Sequence, residues 1–249
     1  MKLLVLSDIH ANHYALEAIW ANETGIDAIY CAGDLSDYGT DPKQVIRWMR
    51  EHNAVVVKGN HDAITVSTYR DTDWKSVNGR DYRWIHHCCH LLDDDDIAYL
   101  DSLPDSLSFE ADGIAYVMRH QFGPRYETME MESEFDEFWA KHSAADSPKK
   151  RVIFGHTHRR CIHTLADDKL WLNPGSASYR RPDDNDKDAH YAVIEDGVIH
   201  LRRCTYDRSG LLKVVQEYAD QSAMIEMELG VAFYFFGDEP HPPVPAYYK

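Results

Sequence analysis

The first sixty residues alternate between short apolar runs and longer segments with apolar residues at helical spacing. The runs have the length of buried strands and lie at 3–6, 27–32 and 54–57, with the amphipathic segments at 13–23 and 43–52. Asn12 and Asp41 occupy the positions of helix N-caps, and Pro42 suits a first helical residue. Strands that alternate with helices in this way predict a parallel sheet covered by helices.

The pattern changes in the middle of the chain. Residues 61–103 contain aromatic, helix-like stretches without an obvious strand, and we predict a helical insertion at about 65–103. After this insertion the apolar runs return in pairs around short turns. The pairing predicts antiparallel hairpins, with turns at Asp112-Gly113, Asp167-Asp168 and Asp196-Gly197.

The order of the elements predicts an α/β fold. Parallel strands first and hairpins later indicate two facing sheets with helices outside, and one of these helices is expected at 132–142. The apolar run VAFYFFG at 231–237 fits either a final buried strand or part of a dimer contact. Because no repeat or low-complexity linker interrupts residues 1–249, we expect a single domain.

The composition restricts the partners of the protein. Its 249 residues include 42 acidic and 26 basic side chains, and the formal charge is -16. This charge disfavours long nucleic acids and anionic membranes, so an anionic substrate must meet something positive, such as a bound cation. The five cysteines form no disulfide pattern, and no apolar run has the length of a secretion signal or a membrane span. We therefore expect a cytoplasmic protein without a membrane partner.

Four of the predicted strands end in polar motifs: SDIH, AGDLSDYG, KGNHD and FGHTH. Each motif alone also fits an ordinary turn or helix cap. However, loops at the carboxyl ends of strands converge in α/β sheets. The side chains expected to meet there are Asp8, His10, Asp34, Asn60, His156 and His158. This mixture of carboxylate, amide and imidazole suits manganese, iron or zinc rather than calcium.

This series of motifs resembles the calcineurin-like metallophosphoesterase superfamily, in its small bacterial and archaeal branch. The matching blocks are D-x-H, G-D-x-x-D, G-N-H-[DE], a lone His at a strand end, G-H-x-H and NPGS. The resemblance implies a four-layer αββα sandwich of two mixed β-sheets flanked by helices. It also implies two metal sites, the first held by Asp8, His10 and His158, the second by Asn60, His120 and His156, with Asp34 as the bridge.

Residues beside the expected ligands also have predicted roles. His61 follows a ligand and is the expected general acid, and Asp62 is expected to orient it or raise its pKa. Asp37 resembles a carboxylate that supports a ligand histidine. The alternatives are a capping residue for His61 and a simple turn residue for Asp37.

The expected function is hydrolysis of phosphate esters with two divalent transition-metal ions. Manganese is the first choice of metal, and iron, zinc, nickel or magnesium are the alternatives. The substrate is expected to be a small phosphorylated compound or nucleotide, cleaved by phosphodiesterase or phosphatase activity. Serine/threonine protein phosphatase and dinucleoside polyphosphate hydrolase are alternative activities, and a catalytically silent metal-binding scaffold is the alternative to an enzyme. A homo-oligomer remains open.

Overall fold

The computed structural model describes residues 1–143, 145, 147–179 and 183–243, and within them ten strands form two sheets. The strands are β1 (Lys2–Leu6), β2 (Ala28–Cys31), β3 (Val55–Val56), β4 (Ser106–Ala111), β5 (Ile114–Arg119), β6 (Lys150–Ile153), β7 (Cys161–Ala166), β8 (Lys169–Asn173), β9 (Ala189–Glu195) and β10 (Val198–Cys204). The helices are α1 (His13–Asn22), α2 (Pro42–Glu51), α3 (Asn60–Arg70), α4 (Trp84–Leu91), α5 (Asp94–Ser102), α6 (Glu132–His142), α7 (Ser209–Asp220) and α8 (Glu226–Phe236), with short 3-10 turns at Thr72–Ser76 and Gly79–Asp81.

The first sheet has the strand order β10-β9-β1-β2-β3. Its β1, β2 and β3 are parallel, as the alternation of strands and helices predicts, and the apolar run of β1 is buried. The hairpin β9–β10 turns at Asp196 and Gly197, both with positive φ, and β9 pairs antiparallel with β1. The sequence predicts this hairpin but not its pairing partner, because the pairing joins residues almost two hundred positions apart.

The second sheet has the order β4-β5-β6-β8-β7. Its hairpins β4–β5 and β7–β8 are antiparallel, whereas β6 pairs parallel with both β5 and β8. The turn between β4 and β5 has φ of 52° at Asp112 and 72° at Gly113, a conformation that suits a two-residue hairpin loop. Both sheets are therefore mixed.

Three apolar clusters separate the layers of the sandwich. Val5 of β1 and Met118 of β5 belong to a cluster between the two sheets. On the outer face of the first sheet, Ile46 of α2 packs in a cluster with the side chains of α1, α3 and α5. On the outer face of the second sheet, Phe135 and Trp139 of α6 pack against β5, β6 and β8. The predicted αββα sandwich of two mixed sheets is confirmed.

The C-terminal helices form a separate aromatic layer. VAFYFF forms the end of α8 and Gly237 follows the helix, so the alternative of a final strand is wrong. The run is apolar throughout, and such a run carries no period that separates a helix from a strand. Tyr234, Phe235 and Phe236 of α8 pack with Leu211 of α7 and with Trp84 of α4. In the described part of the chain, no helix is both long and apolar enough to cross a membrane.

Candidate metal centre

The carboxyl ends of the strands bring the polar motifs to one edge of the sandwich. The loop after β1 carries Asp8 and His10, and the loop after β2 carries Asp34. Asn60 begins α3, His120 follows β5, and the loop after β6 carries His156 and His158. These side chains form two adjacent clusters of potential metal ligands, Asp8–His10–His158 and Asp34–His120–His156, and the potential ligand atoms within each cluster all lie within 4.8 Å of one another.

The first cluster is compact and mostly buried. Nε2 of His10 lies 3.2 Å from Nε2 of His158, and the latter nitrogen lies 3.2 Å from Oδ1 of Asp8. Two ring nitrogens and a carboxylate oxygen therefore converge on one point. This arrangement fits a divalent cation bound through nitrogen and oxygen ligands.

The second cluster is completed by an amide. Oδ1 of Asn60 lies 2.9 Å from Nε2 of His120 and 2.8 Å from Nδ1 of His156. His120 is held in place from behind, because its Nδ1 lies 2.6 Å from the carbonyl oxygen of Ala32. That contact makes Nδ1 a donor and directs Nε2 at Asn60 and Asp34.

Asp34 lies between the two clusters. Its Oδ2 is 3.1 Å from Nε2 of His120 in the second cluster and 3.9 Å from Nε2 of His10 in the first. Oδ2 is also buried and has no donor in hydrogen-bonding geometry among the residues that the structure describes. A buried carboxylate oxygen without a donor is costly unless a cation satisfies it. The potential ligand atoms of the site thus fit divalent cations on both sides of Asp34.

The protonation states of His10, His156 and Asp34 suit cation binding. Burial lowers the pKa of His10 to about 3 and that of His156 to about 4, so both imidazoles are neutral at pH 7. Burial alone would raise the pKa of Asp34, but the charges of His120 and His61 outweigh burial and hold that pKa well below its usual range. Neutral imidazole and ionised carboxylate are the forms that bind metals. His120 is the exception, because the charge of Asp34 outweighs burial and raises its pKa to about 9, so this ring would have to release a proton when a cation binds.

Five of the potential ligand residues have a left-handed backbone. The angle φ is 52° at Asp8, 47° at His10, 56° at Asp34, 65° at His156 and 57° at His158. Residues other than glycine seldom adopt this conformation, and such strain concentrates at functional sites. The loops therefore adopt a strained backbone conformation that orients these side chains.

Two glycines allow the loops to approach one another. A Cβ atom at Gly59 would lie 2.0 Å from Oδ1 of Asp34, and one at Gly155 would lie 1.9 Å from Oγ of Ser7. Any side chain at either position would push neighbouring loops apart. The glycines of the GNHD and GHTH motifs are thus required by close packing.

Asp62 has a different role from the one predicted. Its carboxylate is fully buried and accepts hydrogen bonds from the backbone N–H groups of Gly59, Asp34, Leu35 and Ser36, at 2.9–3.2 Å. It also accepts from the Ser36 hydroxyl. The prediction that Asp62 orients His61 is therefore corrected: Asp62 joins the start of α3 to the loop after β2.

The carboxylate that contacts His61 is Asp37. Nδ1 of His61 donates to Oδ2 of Asp37 at 2.8 Å, and the backbone N–H of Asp37 donates to Sγ of Cys88 in α4. Burial lowers the pKa of His61, but the charge of Asp34 and the hydrogen bond to Asp37 outweigh burial and raise it to about 9. Asp37 thus supports the predicted general acid rather than a predicted ligand.

The NPGS segment braces the loops of the site. Nδ2 of Asn173 donates to the carbonyl oxygen of Gly155 at 2.6 Å, and Oγ of Ser176 donates to that of Asp8 at 2.8 Å. Both side chains are fully buried. The sequence contains this motif but does not reveal its role, since its partners lie in loops remote along the chain. A second unpredicted neighbour is Tyr126, whose ring stacks on His156.

Three comparisons with known proteins agree with the fold. A sequence model of the calcineurin-like phosphoesterase superfamily domain matches residues 1–196. An uncharacterised protein of Methanocaldococcus jannaschii is 26% identical over 221 residues, which cover 82% of this chain and 88% of that protein. Among solved structures, a metallophosphoesterase from Sphaerobacter thermophilus has a TM-score of 0.68 at 20% identity, with coverage of 94% of this chain and 99% of that one. A hypothetical protein from Pyrococcus horikoshii has a TM-score of 0.70 at 14% identity, with coverage of 91% and 97%. The family match spans most of the sequence, and the chain belongs to the calcineurin-like phosphoesterase superfamily.

Proposed function

We propose that this protein is a two-metal hydrolase of small phosphate esters. The observation that carries the proposal is the position of Oδ2 of Asp34, which faces His10 in one cluster and His120 in the other. In this proposal Asp34 would hold both cations. The remaining ligands would be Asp8, His10 and His158 for one cation and Asn60, His120 and His156 for the other.

Bound cations of this kind polarise phosphoryl oxygens and lower the pKa of a water molecule toward about 7. The ligand atoms are imidazole nitrogens with carboxylate and amide oxygens, a set that manganese, iron, zinc and nickel accept and that magnesium accepts less readily. Manganese is our first choice. The cations would also supply the positive charge that an acidic protein needs in order to hold a phosphate.

His61 acts in the proposed reaction as the general acid. Its Nδ1 is engaged by Asp37, which leaves Nε2 as the nitrogen that can carry a proton to the departing oxygen. The ring lies edge-on to that of His10, with 5.1 Å between the centroids, so it borders the first cluster. Asp37 fixes the ring orientation and stabilises the charged imidazole.

The potential ligands together with the His61–Asp37 pair favour an enzyme over a silent metal-binding scaffold, because a scaffold that only binds metal has no use for a supported proton donor beside its ligands. We infer a phosphodiesterase or phosphatase that acts on small phosphorylated compounds or nucleotides. Dinucleoside polyphosphate hydrolysis and protein phosphatase activity are the other outcomes that a substrate panel would distinguish.

The direct test is reconstitution. Protein stripped by a chelator should hydrolyse no ester in a panel of aryl monoesters, aryl diesters and nucleotides. Activity should return with manganese or another of the named metals, with about two ions bound per chain. Failure of every metal to restore any turnover would favour the scaffold.

The Asp34→Asn variant extends this test to the bridge. A neutral amide supplies less charge to both cations, so metal analysis should show reduced occupancy of both sites. Two fully retained ions in the variant would refute the bridging role.

A further inference from the structure

Two consecutive residues of the loop after β2 have a left-handed backbone. The angle φ is 68° at Asp37 and 59° at Tyr38. A bulky residue such as tyrosine keeps this conformation only where its surroundings hold it there. Both residues contact His61, Asp37 through its hydrogen bond to Nδ1 and Tyr38 through its ring, with 4.7 Å between the ring centroids. The conformation of the Asp37–Tyr38 dipeptide therefore sets the position of the His61 ring.

Hydrogen bonds from other parts of the chain hold this dipeptide. The backbone N–H of Asp37 donates to Sγ of Cys88 at 3.2 Å, and the hydroxyl of Tyr179 donates to the carbonyl oxygen of Tyr38. A thiol sulfur is a weak acceptor, so the bond from the hydroxyl is the stronger of the two. Tyr179 lies 141 positions from Tyr38 along the chain. The tertiary structure therefore supplies a contact that stabilises the strained backbone beside His61.

Tyr179 is itself held by α8. The residue is 5% exposed, and its ring packs against that of Phe235, with 4.6 Å between the centroids. The ring of Phe236 meets it edge-on, with 5.6 Å between the centroids. Both phenylalanines belong to α8, which follows the part of the chain that the family model matches. Through Tyr179, α8 thus supports the loop that contacts His61.

We propose that Tyr179 is a positioning residue for His61. It acts through the Asp37–Tyr38 dipeptide, because its hydroxyl fixes the carbonyl of Tyr38 and the dipeptide then orients the His61 ring. This inference rests on the proposed function, in which His61 protonates the leaving group, and gives α8 a part in that step. Proton transfer requires hydrogen-bond distance, so a displacement of the ring by about 1 Å can cost about 10²-fold in rate.

The test compares esters that differ only in their leaving group. Phenyl phosphate and 4-nitrophenyl phosphate are such a pair of monoesters, and methyl phenyl phosphate and methyl 4-nitrophenyl phosphate are the matching diesters. In Tyr179→Phe, kcat/KM for the phenyl ester of the pair that the wild type hydrolyses should fall about 5- to 100-fold. The nitrophenyl ester should lose much less, because its leaving group needs little protonation. The loss should lie in kcat, since the hydroxyl acts on the proton donor.

A second measurement does not depend on turnover. Amide hydrogen exchange of the metal-reconstituted protein can be followed in peptides that cover residues 35–41. Exchange there should be faster in Tyr179→Phe than in the wild type, because the loop loses a hydrogen bond. Phe235→Leu removes a ring that packs on Tyr179, and it should change the exchange and the ratio of the two esters in the same direction.

Tyr191→Phe is the matched control. Tyr191 is fully buried, and its hydroxyl donates to Oε1 of Glu23 at 2.9 Å. Glu23 pairs with Lys2, which begins β1, whereas the candidate metal centre lies at the other end of that strand. Loss of the Tyr191 hydroxyl should therefore alter neither the ratio of the two esters nor the exchange in residues 35–41.

The outcomes separate this inference from the proposed function. Wild-type protein that hydrolyses none of the four esters would contradict the proposed function, even if exchange in residues 35–41 responded as expected. Equal losses for both leaving groups in Tyr179→Phe, or loss of a metal ion, would overturn the inference. Tyr179 would then act on the first cluster, because the ring of Tyr38 also contacts that of His10. Unchanged kinetics or unchanged exchange would overturn it as well.

Discussion

The contacts of His61 allow proton transfer to be tested apart from metal binding. The side chain bonds to Asp37, whereas the neighbouring Asn60 faces His120 and His156. His61→Ala should therefore retain its metal and lose about 10²- to 10⁴-fold in turnover of alkyl or nucleoside esters, the usual contribution of a general acid. Nitrophenyl esters should lose much less, because their leaving group needs little protonation.

Metal analysis and the two kinds of ester give the decisive measurements for His61. His200→Ala provides a control, since His200 is an exposed histidine on β10 and should alter neither metal content nor turnover. Equal losses for good and poor leaving groups, or loss of an ion, would assign His61 another role.

The pair Asp37–His61 also shows what adjacency in the sequence cannot reveal. Asp62 follows His61 directly, and the sequence favours it as the partner, yet residue 62 is one helical step further around α3. Asp37 lies 24 positions away and reaches His61 because φ is 68° at Asp37. No pattern of residue types encodes that backbone conformation. The residue types of the site were predictable from four motifs, except for His120, which only the family resemblance indicated, and the contacts between the side chains were not predictable.

At the level of elements, Asp62 connects α3 to the loop after β2. Both carboxylate oxygens of Asp62 accept hydrogen bonds from backbone N–H groups. In Asp62→Asn, an amide N–H₂ group replaces one of these oxygens and cannot accept, so at least two of these hydrogen bonds are lost. Hydrogen bonds to a charged group contribute about 1.5–3 kcal/mol each, and we expect the variant to lose about 2–4 kcal/mol of unfolding free energy. Denaturant unfolding measures this loss. Asp34 lies in the loop that Asp62 holds, so loss of these hydrogen bonds should also lower the metal occupancy.

A matched substitution controls for removal of one negative charge. Asp95 is exposed in the first turn of α5, and Asp95→Asn should change the unfolding free energy by less than about 0.5 kcal/mol. Equal stability of Asp62→Asn and the wild type would show that the carboxylate is not needed to hold the loop.

The elements themselves differ in how far the sequence predicts them. Hairpins with Asp-Gly turns were predictable because glycine and aspartate tolerate positive φ, and α6 was predictable from its apolar spacing. In contrast, α8 is apolar on nearly every side, and its helical state depends on the aromatic cluster that it joins. Tertiary packing, and not a local sequence pattern, determines the secondary structure of such a segment.

At the scale of the whole molecule, the C-terminal helices extend the sandwich beyond the part matched by the family model. The match ends at residue 196, whereas α7 and α8 follow it and pack on α4. The backbone N–H of Ile225 donates to the carbonyl oxygen of Tyr82, next to the start of α4. In turn, α4 contacts the loop of Asp37 through Cys88. The C-terminal helices are thus connected to the support of His61 by a short chain of contacts.

Glu228 of α8 is an ionisable residue in this connection, and its titration should make the stability of the protein depend on pH. Its Oε2 accepts from the backbone N–H of Trp84 at 2.6 Å. Burial raises the pKa of Glu228 from 4.5 to about 7, against the effect of that hydrogen bond. Since the pKa is higher in the folded protein, the neutral carboxyl favours folding. Its contribution is complete below pH 4.5 and is lost as the pH rises through about 7.

Glu228→Gln removes this dependence while keeping an oxygen that can accept from Trp84. The shift in pKa corresponds to at most about 3 kcal/mol. The unfolding free energy of the variant, relative to the wild type, should therefore increase by about 2–3 kcal/mol between pH 4.5 and pH 8. Urea unfolding at intervals across this range measures the difference.

Glu226 lies exposed in the same turn, and Glu226→Gln should follow the wild-type curve. Parallel curves for Glu228→Gln and the wild type would mean that Glu228 ionises in the fold as easily as in water, and that the contact between α8 and α4 does not depend on its neutral form.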